Sequence, residues 1–73
     1  MKIHIEFCVK WNYEPEFERV SNIIYNLHPN ANISSNEYGP RTGAFEVTID
    51  NKLVFSKFKT DQFPTENEIN DWL

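Results

Sequence analysis

Hydrophobic and polar residues alternate along three stretches of this chain, at residues 2–8, 44–49 and 52–57. Alternation places every second side chain on the same side, which is the pattern of a β-strand with one buried face. The predicted inward residues are Ile3, Ile5, Phe7, Phe45, Val47, Ile49, Leu53 and Phe55, and the predicted outward residues are His4, Glu6, Glu46 and Thr48. Asp50 and Asn51 tolerate positive φ, so the second and third stretches are predicted to form a hairpin.

Helical spacing replaces the alternation in residues 13–27, where the apolar side chains recur on one face at Phe17, Val20, Ile24 and Leu27. Asn12 is the predicted N-cap, and Pro29 ends the helix near His28 because the residue before a proline avoids the α region. Thr65 and Glu68 form a capping-box pattern that predicts a second helix bearing Ile69, Trp72 and Leu73. Residues 31–36 are predicted to form a short edge strand, and residues 37–43 and 58–64 to form loops.

The predicted order is β-α-β-β-β-α in one domain, residues 1–73. A helix between the first two strands makes them parallel through a right-handed crossover, and the tight turn makes the last two antiparallel. Alternating strands imply one covered face, so both helices are predicted on the same face of a four-stranded mixed sheet. The fold class is therefore α/β (α+β), in the minimal thioredoxin-like arrangement.

Charge and composition remove several classes of function. The 73 residues carry 11 acidic and 7 basic side chains, a net charge of −4, which argues against a protein that coats nucleic acid or a membrane surface. One cysteine and two histidines allow neither an internal disulfide nor a structural zinc site, so we expect no metal and no resident cofactor. A hydrolase or kinase has no support in the motifs. The expected protein is a monomer in the reducing cytoplasm, with no membrane span or signal peptide.

Cys8 is the candidate catalytic residue, because it lies where the first predicted strand turns into the first predicted helix. The unpaired N–H groups of a helix N-terminus favour a thiolate, and Lys10 acts in the same direction. Glu6, Glu14 and Glu16 oppose it through their charge. The alternative is a cysteine that only packs.

Residues 7–15 read Phe7-Cys8-Val9-Lys10-Trp11-Asn12-Tyr13-Glu14-Pro15. This stretch resembles the signature of the selenoprotein W-like (Rdx-type) family of small thioredoxin-like proteins: an aromatic residue, C-x-x-C or C-x-x-selenocysteine, then tyrosine and proline. Three later motifs of that family are matched in order, by Gly43-Ala44-Phe45-Glu46-Val47, Ser56-Lys57 and Phe63-Pro64.

The resemblance implies redox chemistry of sulfur or selenium, with Cys8 as the first redox residue. Trp11 stands where the family has its second one, so the family's intramolecular disulfide is impossible here. A selenocysteine codon read as tryptophan is a further explanation, which the codon itself decides. The resemblance offers Pro40 for the role of the cis-proline that faces the thiol in thioredoxin-like folds, and its isomer stays open.

Two hypotheses remain. In the first, the chain is at most a one-thiol oxidoreductase in which Cys8 forms a mixed disulfide with glutathione or a protein partner. In the second, it is a non-catalytic interaction module that kept the fold and binds a protein through an aromatic turn and the loop at residues 39–43. The candidate binding residues are Lys10, Trp11, Tyr13, Pro40 and Arg41. His4 lies about 13 Å along the strand from Cys8, too far to act as its base, and His28 is assigned to the helix end.

Overall fold

The computed structural model describes residues 1–36 and 39–73. Its elements are, in chain order, β1 (Lys2–Phe7), α1 (Glu14–Leu27), β2 (Asn32–Ser35), β3 (Phe45–Ile49), β4 (Lys52–Ser56), α2 (Lys57–Thr60) and α3 (Glu66–Trp72). The predicted β-α-β-β-β-α order is confirmed, with one helix added. The prediction of a loop at residues 58–64 was wrong for residues 58–60, which belong to α2. Ser56 caps that helix by accepting from the backbone N–H of Lys59, and Asp61 ends it in a left-handed conformation.

The sheet has the strand order β2-β1-β3-β4. β1 runs parallel to the edge strand β2 and antiparallel to β3, and β3 is antiparallel to β4. This is the predicted mixed sheet. Between β3 and β4, Asp50 and Asn51 both have positive φ (49° and 70°), as the hairpin prediction requires.

Both long helices cover one face of this sheet. Phe17 of α1 stacks on Phe7 with ring centroids 4.7 Å apart, and Trp72 of α3 lies 5.8 Å from Phe55. The β1–β3 and β3–β4 registers put those two strand phenylalanines on the same side of the sheet. The fully buried centre of the core consists of Ile3, Ile5, Val20, Ile24, Phe45, Val47 and Ile69. The thioredoxin-like arrangement is therefore confirmed.

A β-bulge corrects the prediction for Leu53. Val47 pairs with Phe55, but Thr48 pairs with Leu53, so Val54 is an extra residue on β4. An extra residue reverses the alternation beyond it. Leu53 therefore lies opposite the outward Thr48 and is 51% exposed, not buried.

Glu46 corrects a second prediction, because it is only 7% exposed. It points away from the core, as the alternation predicts, but the start of α2 covers it. Its carboxylate accepts from the Ser56 hydroxyl at 2.5 Å and from the Lys57 backbone N–H at 2.7 Å. A carboxylate is buried without penalty only where such donors satisfy it.

Of the predicted helix ends, the capping box of the last helix is present, whereas the N-cap of α1 is a different residue. The capping box of Thr65 and Glu68 is confirmed, with both reciprocal hydrogen bonds present. Asn12 is not the N-cap of α1: that position belongs to Tyr13, without a side-chain hydrogen bond. Asn12 instead has φ of 61°, in a turn whose tightness requires a left-handed residue. His28 is the C-cap.

Within residues 1–36 and 39–73, every helix is too short and too polar to cross a membrane.

Candidate functional site

The turn after β1 is held at both ends by backbone hydrogen bonds. The N–H of Cys8 donates to the carbonyl of Ala44 at 2.9 Å, which extends the pairing with β3 by one residue. The carbonyl of Cys8 accepts from Tyr13 at 3.1 Å, and that of Val9 accepts from Asn12 at 2.9 Å. Residues 9–12 therefore form a closed turn between Cys8 and Tyr13, the N-cap of α1.

Cys8 is a free thiol and is buried, with 2% of its surface exposed. The sequence places it beside a helix start, and the structure adds that residues 9–12 lie between it and that helix. An attacking thiolate must reach the sulfur of a disulfide, so access limits its reactivity. The described conformation closes off that access.

Trp11, in contrast, is 54% exposed. Its ring lies close to Gly43, where an added Cβ would come within 2.9 Å of the ring carbon Cζ3. Gly43 also has a φ of 79°, which L side chains rarely adopt. Gly43 therefore makes room for the Trp11 ring, so the 39–43 loop and the turn at residues 9–12 form one surface.

A series of edge-to-face aromatic contacts connects this surface with the core. Trp11 meets Tyr13 with ring centroids 6.2 Å apart, and Tyr13 meets Phe63 at 4.8 Å. Phe63 in turn meets the fully buried Phe45 at 5.4 Å. Edge-to-face geometry is favourable for aromatic pairs, so each ring restricts the next one. The exposed tryptophan is supported by packed rings.

Two cations complete the surface. The Nζ atom of Lys57 lies 5.5 Å from the ring centroids of both Tyr13 and Phe63. The guanidinium of Arg41 lies 4.9 Å above the ring of Phe58, which is 50% exposed. These contacts, together with neighbours in sequence, connect one set of residues, which we call the aromatic–cation surface: Trp11, Tyr13, Lys57, Phe58, Arg41 and Gly43.

Arg41 is anchored by Glu6. Its backbone N–H donates to the Glu6 carboxylate at 2.7 Å, and its Nη2 does so at 2.8 Å. These hydrogen bonds from Arg41 hold the pKa of the Glu6 carboxyl below its ordinary value of 4.5, against the opposing effect of partial burial. The same pairing raises the pKa of the Arg41 guanidinium. The ion pair fixes the 39–43 loop to β1.

Only some of the predicted binding residues belong to this surface. Trp11 contacts Tyr13, and Arg41 lies in the 39–43 loop, which Trp11 contacts at Gly43. Lys10 is exposed on the same turn as Trp11. Pro40 is half-buried, and its preceding peptide bond is trans, which answers the question of the isomer that the sequence left open. Sequence reasoning did not assign Lys57, Phe58 or Phe63 to the site. Two of the matched family motifs, Ser56-Lys57 and Phe63-Pro64, contain Lys57 and Phe63, whereas Phe58 carries no such signal.

The remaining chemical candidates lie elsewhere. The imidazole Nδ1 of His4 is 3.0 Å from the Ser34 hydroxyl on the open face of the sheet. Among residues 1–36 and 39–73, there is no group of three or more histidine, cysteine or acidic side chains arranged to hold a metal ion. The site offers a thiol, aromatic rings and cations.

Residues 2–72 match the model of the Rdx family. The chain belongs to the Rdx family. Proteins similar in sequence include migration and invasion enhancer 1 of Bos taurus, which is 32% identical to this chain over 69 residues. Selenoprotein W of Danio rerio is 33% identical over 64 residues, which cover 86% of this chain and 74% of that protein.

The match to the bovine relative covers 94% of this chain, which spans 58% of the length of that relative. Among solved structures, a selenoprotein W-related protein from Vibrio cholerae superposes with a TM-score of 0.77 at 17% identity, covering 97% of this chain and 94% of that one. A protein from Bordetella parapertussis superposes with a TM-score of 0.74 at 14% identity, covering 99% of this chain and 96% of that one. At these identities the superpositions show the fold, which is thioredoxin-like.

Proposed function

We propose that this Rdx-family chain is a protein-interaction module that binds a partner through the aromatic–cation surface. One contrast carries the proposal: Cys8 is 2% exposed, whereas Trp11, three residues later, is 54% exposed. The position at which a redox pair would need its second sulfur or selenium thus presents an indole to solvent. A buried single thiol supports no disulfide cycle within the chain, and an exposed indole is suited to binding.

The organisation of the surface supports a binding role. Tryptophan, tyrosine and arginine carry a large share of binding energy at protein interfaces. Here Trp11 packs on Gly43, Tyr13 packs on Phe63, and Arg41 is held by Glu6. Side chains that are already ordered lose less conformational entropy when a partner binds. The surface is therefore pre-organised.

Trp11→Ala is expected to remove partner binding. Truncating a central interface tryptophan costs about 2 kcal/mol or more, roughly a thirtyfold loss of affinity. The measurement is affinity capture with the full chain from its own cell type, with quantitative mass spectrometry of each recovered protein and binding constants for the purified hits.

Leu53→Ala is the matched control, because Leu53 is 51% exposed, lies on β4 and is not one of the residues that form the aromatic–cation surface. A true partner is lost with Trp11→Ala and retained with Leu53→Ala. Recovery of the same proteins in the same amounts by both variants contradicts the proposal.

The second candidate is a one-thiol redox role, favoured by the position of the free Cys8 directly under an exposed turn. Opening of residues 9–12 would uncover the sulfur without unfolding the sheet. The Cys8 thiolate would then attack glutathione disulfide, forming the mixed disulfide and releasing one glutathione thiolate. A free thiol of this kind fits a reducing, cytoplasmic setting, which we propose for this chain.

For that candidate, intact mass spectrometry of the folded protein is expected to show one added glutathione after exposure to glutathione disulfide. Cys8→Ser is expected to show none. The alkylation rate of Cys8 in the native state, compared with that in denaturant, measures how often the turn opens. A thiol that reacts only under unfolding conditions rules the redox role out and leaves the binding proposal untouched.

A further inference from the structure

We infer that the aromatic–cation surface binds an acidic peptide segment that carries an aromatic or long aliphatic side chain. The inference rests on the proposed function, since it names the chemistry of the partner for the same surface. It comes from the distribution of charge and of exposed apolar area around Trp11.

Cations are concentrated here in a chain whose net charge is −4. Lys10, Arg41 and Lys57 come from three separate parts of the sequence. Lys10 is exposed beside Trp11 on the turn, Arg41 lies over Phe58, and Lys57 lies over Tyr13 and Phe63. Within residues 1–36 and 39–73, the Nζ atom of Lys57 has no carboxylate within ion-pair distance. It faces two aromatic rings instead. A partner carboxylate would supply the missing counter-charge.

Two of the acidic residues near the surface are already paired or buried, and the pairing neutralises Arg41. Glu6 is paired with Arg41, and Glu46 is buried with hydrogen bonds from Ser56 and from the backbone of Lys57. Glu14, next to Tyr13 in sequence, is exposed. Because Glu46 is buried, the charges of described residues that a partner can contact around Trp11 and Tyr13 are those of Lys10, Lys57 and Glu14, an excess of one positive charge. Charge complementarity therefore selects an acidic partner.

The apolar part of the surface selects the other feature of the peptide. Val9, Trp11 and Phe58 are 58%, 54% and 50% exposed. Val9 and Trp11 flank Lys10 on the turn, and Phe58 lies under Arg41. An apolar side chain of the partner can pack on these rings while flanking carboxylates reach the cations. Aromatic rings with cations also occur in sites for single-stranded nucleic acid, but the charge of −4 opposes a polyanion.

To test this, peptides from a displayed random library are selected for binding to the full chain and to three variants. Lys57→Glu reverses the unpaired cation. Lys52→Glu makes the same change in net charge at the start of β4, about 13 Å along the strand from Ser56. Trp11→Ala reports whether a peptide uses this surface. Selected peptides are synthesised and their affinities measured, alongside a polyuridine oligonucleotide, at low and physiological salt, with thermal melting of each variant as a check of folding.

We expect the peptides that depend on Trp11 to be net negative and to contain an aromatic or long aliphatic residue. Lys57→Glu should weaken them by about fivefold or more, Lys52→Glu by less than about twofold, and salt should weaken binding to the wild type. Peptides that depend on Trp11 but are neutral or basic overturn this inference and leave the proposed function standing. If no peptide depends on Trp11, or if only the oligonucleotide does, both fail.

Discussion

Phe45→Ala is expected to lower the free energy of unfolding by about 3–5 kcal/mol, the usual cost of truncating a buried phenylalanine. Phe45 is fully buried, pairs with Phe7 across β1 and β3, and lies against the edge of Phe63. A chain of this length has a total stability of roughly 4–11 kcal/mol. The substitution therefore removes a large part of it.

The same substitution should loosen the aromatic–cation surface. Phe45 supports Phe63, which supports Tyr13, which meets Trp11. Removing the first ring leaves the others free to take further rotamers, so the surface loses its pre-organisation. We therefore expect weaker partner binding even under conditions in which the variant is still folded.

Equilibrium urea denaturation of the variant and the wild type measures the first effect. Tryptophan fluorescence anisotropy in the folded state, with Trp72→Phe in both proteins so that Trp11 is the one fluorescent indole, measures the second. Phe58→Ala is the matched control, since Phe58 is 50% exposed and is expected to cost less than about 1 kcal/mol. Equal losses of stability for the two phenylalanines would show that Phe45 is not the centre of this core.

Glu46→Ala is expected to cost about 2–3 kcal/mol, because it breaks two hydrogen bonds to a charged group. The donors left behind are the Ser56 hydroxyl and the Lys57 N–H, both of which point at the carboxylate in the folded protein. Those two residues begin α2, which carries Phe58 and Lys57 to the surface. The carboxylate is therefore a structural support of the site.

Amide hydrogen exchange at Lys57, together with urea denaturation, measures this effect. Exchange at Lys57 is expected to accelerate in Glu46→Ala more than global destabilisation alone explains. Glu18→Ala is the control, because Glu18 is exposed on α1 and should change stability by about 0.5 kcal/mol at most. Unchanged exchange at Lys57 would mean that α2 is held by other contacts.

The sequence by itself determined the elements whose signals are local. Alternation located β1 and β3, the Asp50-Asn51 pair located the hairpin, and the capping box located α3. Each of these depends on the preferences of a few adjacent residues. The motif around Cys8 and Trp11 also placed the chain in its family, because its residues are adjacent in sequence.

Tertiary structure decided everything that depends on which surfaces meet. The bulge at Val54 turned Leu53 to solvent, and the start of α2 covered Glu46. Neither event leaves a local trace, since a bulge is set by strand pairing and burial by distant neighbours. The candidate site was decided in the same way. Folding buried the thiol that the motif marked, and it brought Lys57 to the ring of Tyr13 and Phe58 to Arg41.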